Sequence, residues 1–221
     1  MHYRGLIFDL DGTLGNTLPA TYRAFRDVFQ QRAGVEYSDD EIHAMFGPNE
    51  EGVFQRQLPD QWEAAHADYL AAYARRHDNA EALFDGVVDG LAAFAEARAR
   101  LAIVTAKGRG CAEITLDLLG FGSHFEQLEC GHHDGCVKSD NITAVLNAWN
   151  MPPEQAVYIG DAPTDIRAAR AACVTAVAAA WAPTAKPDLL QDEHPDFLFD
   201  TWPDFQNWAL DNIIPIELPP R

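Results

Sequence analysis

Apolar and polar positions follow two rhythms along this 221-residue chain. Short apolar runs of strand length occur at 3–10 (YRGLIFDL), 101–106 (LAIVTA), 125–130 (FEQLEC), 155–161 (QAVYIGD) and 174–181 (VTAVAAAW), with a last extended stretch at 195–202. Between them, apolar residues recur three and four apart. That spacing predicts helices over 87–99, 111–120, 141–150 and 165–172, the second closed by Gly120, and a further helix at the C-terminus. Alternating β and α units predict an α/β fold, a Rossmann-like parallel sheet with helices on both faces.

Residues 17–83 break this rhythm, because no strand pattern occurs there. Leu18, Tyr22, Phe25, Phe29 and Arg32 fall on one helical face. Ser38 is placed to cap a helix, with Glu41 three residues on as in a capping box. Residues 61–77 form another amphipathic helix, and FGPNEEGVFQRQLPD between them reads as a turn and a short helix. The prediction is an all-helical cap over 17–83, inserted just after the first strand of a catalytic core made of 1–16 and 84–221.

Composition narrows the function. The chain is 48% hydrophobic, enough for a substantial core. Its formal charge of −18 excludes nucleic acid and anionic membranes as partners, since binding those surfaces relies on Lys and Arg. A small anion remains a candidate ligand if metal, lysine and helix N-termini make one pocket locally positive. No apolar run approaches the roughly 18 residues of a membrane span. The start, MHYRGLIFDLDGTL, is too short and too acidic for a secretory signal, so a cytoplasmic location is expected. Cys111, Cys130, Cys136 and Cys173 are accordingly read as free thiols. A homodimer is allowed but not indicated.

The chemistry gathers at strand ends. In IFDLDGTL, Asp9 and Asp11 stand two apart at the end of a buried run, so on an extended chain both face one pocket. Two close carboxylates favour a bound cation or a shared proton. The EF-hand pattern fails, because the positions that need Gly and Glu hold Leu14 and Ala20. In LAIVTAKGRG, Thr105 ends a strand before a helix start, a combination that suits a phosphate, although a strand-ending Thr is commonly a turn residue. Lys138 heads KSDNITAVL, where Ser139 or Asp140 can cap the helix. Its charge is the wrong sign for a helix start, so either an anion lies nearby or the lysine is merely solvated. In VYIGDAPTDIRAAR, Asp161 ends a strand as Asp9 does, and Asp165 follows at the next helix start, where the helix dipole alone also favours an acid. Carboxylates from two neighbouring strands suit Mg²⁺.

DxDGT, Thr, Lys and GDxxxD, in that order, resemble the haloacid dehalogenase superfamily of phosphotransferases over nearly the whole chain. DGTL followed by a helical insert, FGPNEEG, VTAK and Trp181 resemble its phosphoglycolate-phosphatase-like branch. The resemblance implies a Mg²⁺-dependent phosphatase acting on a small phosphorylated metabolite. Asp9 would be the nucleophile and Asp11 the general acid and base. Thr105, the Ala106 backbone N–H and Lys138 would hold the phosphoryl oxygens. Asp9, the Asp11 carbonyl and Asp161 would bind the metal, with Asp165 supporting that shell. Dehalogenase members lack the second aspartate, which favours phosphatase chemistry here. Asn49, Arg56 and Gln57 of the cap are candidates for choosing the substrate, Arg56 through a bidentate pair with an anionic group. A phosphomutase or a non-catalytic phospholigand-binding protein on the same scaffold are the alternatives. The chain departs from the family at Asn16-Thr17 (usually Asp-Ser), Ala106 (Ser or Asn), Ser139 (Pro) and Ala172-Cys173 (Ala-Gly).

The stretch ECGHHDGCVKSDN, 129–141, invites a zinc reading. Five residues separate its cysteines, too many for ordinary zinc spacing, and the adjacent His132 and His133 are not expected to converge. It is read instead as a loop delivering Lys138 to the phosphate, with His132, His133 or Asp134 lining the substrate entrance.

Overall fold

The computed structural model describes residues 2–77, 82–135 and 137–215. Six parallel strands form one sheet: β1 (Gly5–Phe8), β2 (Arg100–Val104), β3 (Gln127–Glu129), β4 (Ala156–Gly160), β5 (Thr175–Ala179) and β6 (Phe197–Phe199). Their order is β3-β2-β1-β4-β5-β6, with Phe8 in register with Ile103 on one side and Ile159 on the other. The order reverses between β1 and β4, and at such a switch point an open α/β sheet leaves a crevice beyond its C-terminal strand ends.

The central strands are apolar on both faces because helices cover both. Leu6 and Phe8 point into one layer with α5 (Val87–Glu96) and α10 (Trp202–Asn212), where Phe94, Trp202 and Phe205 surround the Phe8 ring. Ile7 points the other way, into a layer with Val104, Tyr158, Ile142 and Ile166. The last two come from α7 (Lys138–Trp149) and α8 (Pro163–Ala171). The second strand is followed by α6 (Arg109–Leu119), closed by Gly120 as expected, in left-handed backbone with φ 75. The short α9 (Pro187–Asp192) lies between β5 and β6.

Between β1 and α5 the described chain is helical: α1 (Leu18–Ala33), α2 (Asp39–His43), α3 (Glu50–Gln57) and α4 (Trp62–Arg76). Their aromatic face, Phe25, Phe29, Phe54, Tyr69 and Tyr73, makes a separate core, which Cys111 of α6 joins from below. Arg32 closes the α1 stripe by pairing with Asp68 of α4 at 2.5 Å. Ser38 and Glu41 form the expected capping box. The two crossings between insert and sheet lie side by side, Gly15 bridging Leu83 and Asn16 N–H donating to Ala82 O at 2.8 Å. No helix among the described residues is long and apolar enough to cross a membrane.

Some expected boundaries move. The helix predicted from 87 ends at Glu96, because Arg98 turns into left-handed backbone at φ 61. The helix predicted from 141 starts at Lys138, so Ser139 and Asp140 lie inside it and neither caps it; Val137 holds the cap position without a side-chain bond.

Candidate active site

Asp9, Thr105 and Asp161 are each the first residue after a strand, β1, β2 and β4 in turn. Parallel neighbours bring those ends to one edge, on either side of the switch point. Lys138 enters from the start of α7. Its Nζ lies 2.9 Å from Asp9 Oδ2 and 2.5 Å from Asp165 Oδ1. Asp165 is fully buried; its Oδ1 also lies 3.3 Å from the Tyr158 hydroxyl, and its Oδ2 accepts the Ala162 N–H at 3.0 Å. Both of its oxygens are thus engaged, and it fixes Lys138. The anion expected beside this helix-start lysine is therefore protein, Asp9 and Asp165.

Asp9 is buried, and its Oδ1 has no hydrogen-bond partner. A bare carboxylate oxygen in such a place is costly unless something binds it. Ligand oxygens of Asp9, Asp161 and Asp165 lie within 4.8 Å of one another. Gly12 backs onto Asp161 at φ +76, and a Cβ there would collide with the Asp161 carboxylate. An orphaned oxygen, a carboxylate-only donor set and a cradle closed by glycine fit Mg²⁺, which favours a few carboxylates with open positions for water and phosphate.

The electrostatics agree. Burial raises the Asp9 pKa to about 6; Lys138 opposes that, and Asp165 and Asp11 add to it. Burial, then Asp165 and Asp9, push Asp161 well above its ordinary value. Burial works against the Lys138 ammonium, but Asp165 and Asp9 more than offset it and hold that pKa well up. The pocket thus holds more carboxylate charge than its lysine offsets, the situation a divalent cation relieves.

Asp11 reaches the site by another route than the one expected. β1 stops at Phe8, so the two-apart strand rule does not place it. Past Asp9 the chain coils tightly: Leu10 O accepts the N–H groups of Thr13, Leu14 and Gly15, and Gly12 takes the left-handed turn. Trp181 Nε1 anchors the coil by donating to Thr13 O at 2.9 Å. The Asp11 carboxylate then accepts from Thr17 Oγ1 and from Lys107 Nζ, the latter at 2.8 Å. Thr17 stands where the family usually has serine, and its hydroxyl serves the second aspartate.

Thr105 is buried at the site edge; its N–H donates to Glu129 O at 3.0 Å, and its Oγ1 accepts the Lys107 N–H at 3.2 Å. Ala106 follows it, half-buried. The insert residues lie further out. Asn49 caps α3 by accepting the Gly52 N–H at 3.0 Å and donates Nδ2 to Gly131 O at 3.1 Å. Arg56 donates to Asp134 O at 3.2 Å, and Gln57 ends α3, exposed. The 131–134 loop is therefore a seat for α3: Asn49 N–H also donates to His132 O at 3.0 Å. A cleft of about 400 Å³ opens beside it, lined among others by His66, Arg109, His132 and His133.

The histidine pair differs from expectation. A tight turn bridges His132 to Gly135, and donor atoms of His132, His133 and Asp134 come within 4.8 Å of one another. The turn folds successive side chains onto one side, with His132 Nδ1 3.3 Å from Asp134 Oδ2. Cys111, Cys130 and Cys173 are free thiols; the free thiol expected at Cys136 lies outside the described residues.

Sequence reasoning missed four residues here. Lys107 and Glu50 act through contacts distant in sequence. Thr17 meets Asp11 six residues away because the chain coils between them, and Tyr158 sits in a strand run that reads simply as core.

The chain matches the family model for haloacid dehalogenase-like hydrolases over residues 6–179. It is 30% identical over 207 residues to pyrophosphatase PpaX of Listeria monocytogenes, covering 90% of this chain and 93% of that protein. It is 31% identical over 179 residues to tyrosine-protein kinase PtkA of Mycobacterium tuberculosis, covering 80% of this chain and 62% of that one. Among solved structures, a phosphoglycolate phosphatase, so named by prediction, from Haemophilus somnus superposes with a TM-score of 0.80 at 20% identity, over 95% of this chain and 99% of that chain; this likeness concerns the fold. With its strand-end carboxylates and buried lysine in place, the chain belongs to the haloacid dehalogenase-like hydrolase family, as an enzyme of the phosphatase kind.

Proposed function

We propose that the protein is a Mg²⁺-dependent phosphatase that hydrolyses a small phosphomonoester through a phosphoryl group carried on Asp9. The observation behind this reading is the state of Asp9: one oxygen is held by Lys138 at 2.9 Å, while the other is buried and has no hydrogen-bond partner. In the first half-reaction an Asp9 oxygen attacks phosphorus, the bond to the leaving oxygen breaks, and Asp11 gives that oxygen a proton. In the second, water attacks the same phosphorus, Asp11 takes the water proton, and the bond to Asp9 breaks. Lys138 and Thr105, with the Ala106 N–H, would draw the phosphoryl oxygens and offset charge in the transition state. Asp9, Asp161 and the Asp11 carbonyl would hold Mg²⁺, and Asp165 would keep Lys138 in line. When bound, Mg²⁺ neutralises charge between the carboxylates and the phosphoryl oxygens.

Residues 17–83 would act as the cap, excluding water from the crevice when α3 sits on the 131–134 loop. Asn49 and Arg56 then influence substrate choice by fixing the seat, with Arg56 at its outer rim. Candidate phosphomonoesters are phosphoglycolate, after the name of a relative, and sugar phosphates; pyrophosphate, an anhydride named for another relative, is a candidate for the same attack by Asp9. A relative named as a kinase makes transfer from Asp9 to another acceptor the second reading, and the phosphomutase reading is of the same kind.

The test is inorganic phosphate release from a panel of these compounds, with and without Mg²⁺, beside Asp9→Asn. Hydrolysis that needs both Mg²⁺ and Asp9 supports the reading. No release from any of them, nor from an activated aryl phosphate, overturns it. An isomeric phosphosugar or a phosphorylated protein acceptor in place of phosphate favours the transfer reading.

A further inference from the structure

Lys107 has no part in the scheme above, yet its side chain is 1% exposed. Burying an ammonium costs several kcal/mol unless close partners offset it. The nearest partner is Asp11, with Oδ1 at 2.8 Å and Oδ2 at 3.2 Å. The other described contacts come from the inserted helices: Thr21 Oγ1 of α1 at 3.3 Å, Glu50 Oε1 of α3 at 3.9 Å, and the Tyr73 ring of α4, whose centroid is 4.6 Å away. Glu50 also accepts the N–H of Gly108, the next residue, at 2.6 Å, so one insert side chain clamps both neighbours.

A lysine present only to neutralise Glu50 would sit closer to it than to Asp11. Here the order is reversed. The ammonium grips both oxygens of the carboxyl that must exchange protons with the leaving oxygen and the attacking water, and the insert walls in the ammonium. We propose that Lys107 is a positioning residue that aims the Asp11 carboxylate, and that the inserted helices in turn hold Lys107 in place. This rests on the phosphatase reading. Its effect is isolated in the second half-reaction when the leaving group needs no proton: there the water oxygen bonds to phosphorus, the phosphorus–Asp9 bond breaks, and the water proton passes to Asp11. With Thr17 and Lys107 both donating to it, Asp11 is presented as an acceptor, the form that step requires.

The experiment is stopped-flow hydrolysis of 4-nitrophenyl phosphate with Mg²⁺ by the full chain and by Lys107→Met. Nitrophenolate leaves without a proton, so the first half-reaction proceeds without help from Asp11. The second still needs Asp11 correctly aimed. The variant should release close to one nitrophenolate per site in a burst larger than native, then turn over at least about tenfold more slowly, within the range acid–base groups contribute. Intact mass should show the phosphoryl group retained on the variant. Lys107→Arg, which keeps the charge but not the geometry, should show a smaller excess burst, and it carries the test if the Met variant does not fold. Native-like turnover, or slow turnover with no excess burst, overturns the role of Lys107 while leaving the phosphatase reading intact. A native protein that releases no nitrophenolate removes that reading, and the inference with it.

Discussion

The Lys138 ammonium lies 2.9 Å from the Asp9 carboxylate, joining the first residue of a helix to the residue that follows the central strand. Asp165, 2.5 Å away on the other side, completes a buried row of two carboxylates around one cation. Removing the cation leaves both carboxylates buried and uncompensated. Lys138→Met is therefore expected to lower stability by about 3–5 kcal/mol, as breaking a buried pair does. Urea unfolding of metal-free protein measures it. A loss below about 1 kcal/mol, the range of exposed pairs, would mean that the row contributes little.

The same row should make the proposed Mg²⁺ binding depend on pH. The folded-state pKa of Asp9 is raised from 3.8 to about 6 by burial, with Lys138 opposing. A raised carboxyl pKa means the folded protein holds the proton more tightly than the unfolded chain. That contribution to stability is full below pH 3.8 and is lost as pH rises through about 6. Asp161 shifts in the same direction. Metal-free protein should thus lose stability from this site as pH rises through that window. Mg²⁺ binds the deprotonated carboxylates, so its stabilising thermal shift should grow over the same window. Melting curves with and without Mg²⁺ across the window decide it; a shift that shrinks with rising pH contradicts the assignment.

Gly12 sets the approach of the loop to Asp161. Gly12→Ala places a methyl group against that carboxylate in left-handed backbone, a conformation that itself costs about 1–2 kcal/mol for an L-residue. The expected result is a folded protein with a lowered melting temperature and no Mg²⁺-induced shift. Retention of the full shift would show that Asp161 does not need this cradle.

Cys173 is exposed and takes φ 59, where the family commonly has glycine. Cys173→Gly should raise stability by about 1 kcal/mol, because glycine adopts that backbone without the side-chain penalty. Thermal unfolding measures it, and a loss of stability would point to an interaction of the cysteine side chain that outweighs the strain.

The parts of this site that could be read from the sequence are those fixed by local pattern. Buried runs ending in Asp9, Thr105 and Asp161 predict strand ends, and parallel strands necessarily bring such ends to one edge. Lys138 stood out because its charge opposes the helix start. Its partners were hidden, since pairing Lys138 with Asp165 depends on how α7 packs beside α8. Strand alternation is an incomplete reason for Asp11 to reach the site, because a coil around Leu10 O positions it. Lys107 and Glu50 stand within the VTAK and FGPNEEG stretches, but nothing local there tells what they touch. Their contacts join the insert to the sheet across tens of residues, and no local periodicity encodes how one layer seats on another. His132 and His133 illustrate the same limit at short range, because the turn that brings their donor atoms together does not follow from their adjacency alone.

Trapping the phosphoryl group shows whether Asp9 carries it. The protein is mixed with Mg²⁺ and a hydrolysable phosphomonoester, quenched in acid within the first turnover, and digested for peptide mass analysis. The expected result is the mass of one phosphoryl group on the peptide containing Asp9, absent in Asp9→Asn and enriched in Lys107→Met. Turnover with no phosphoryl group on that peptide at any quench time, or with hydrolysis undiminished in Asp9→Asn, would contradict it.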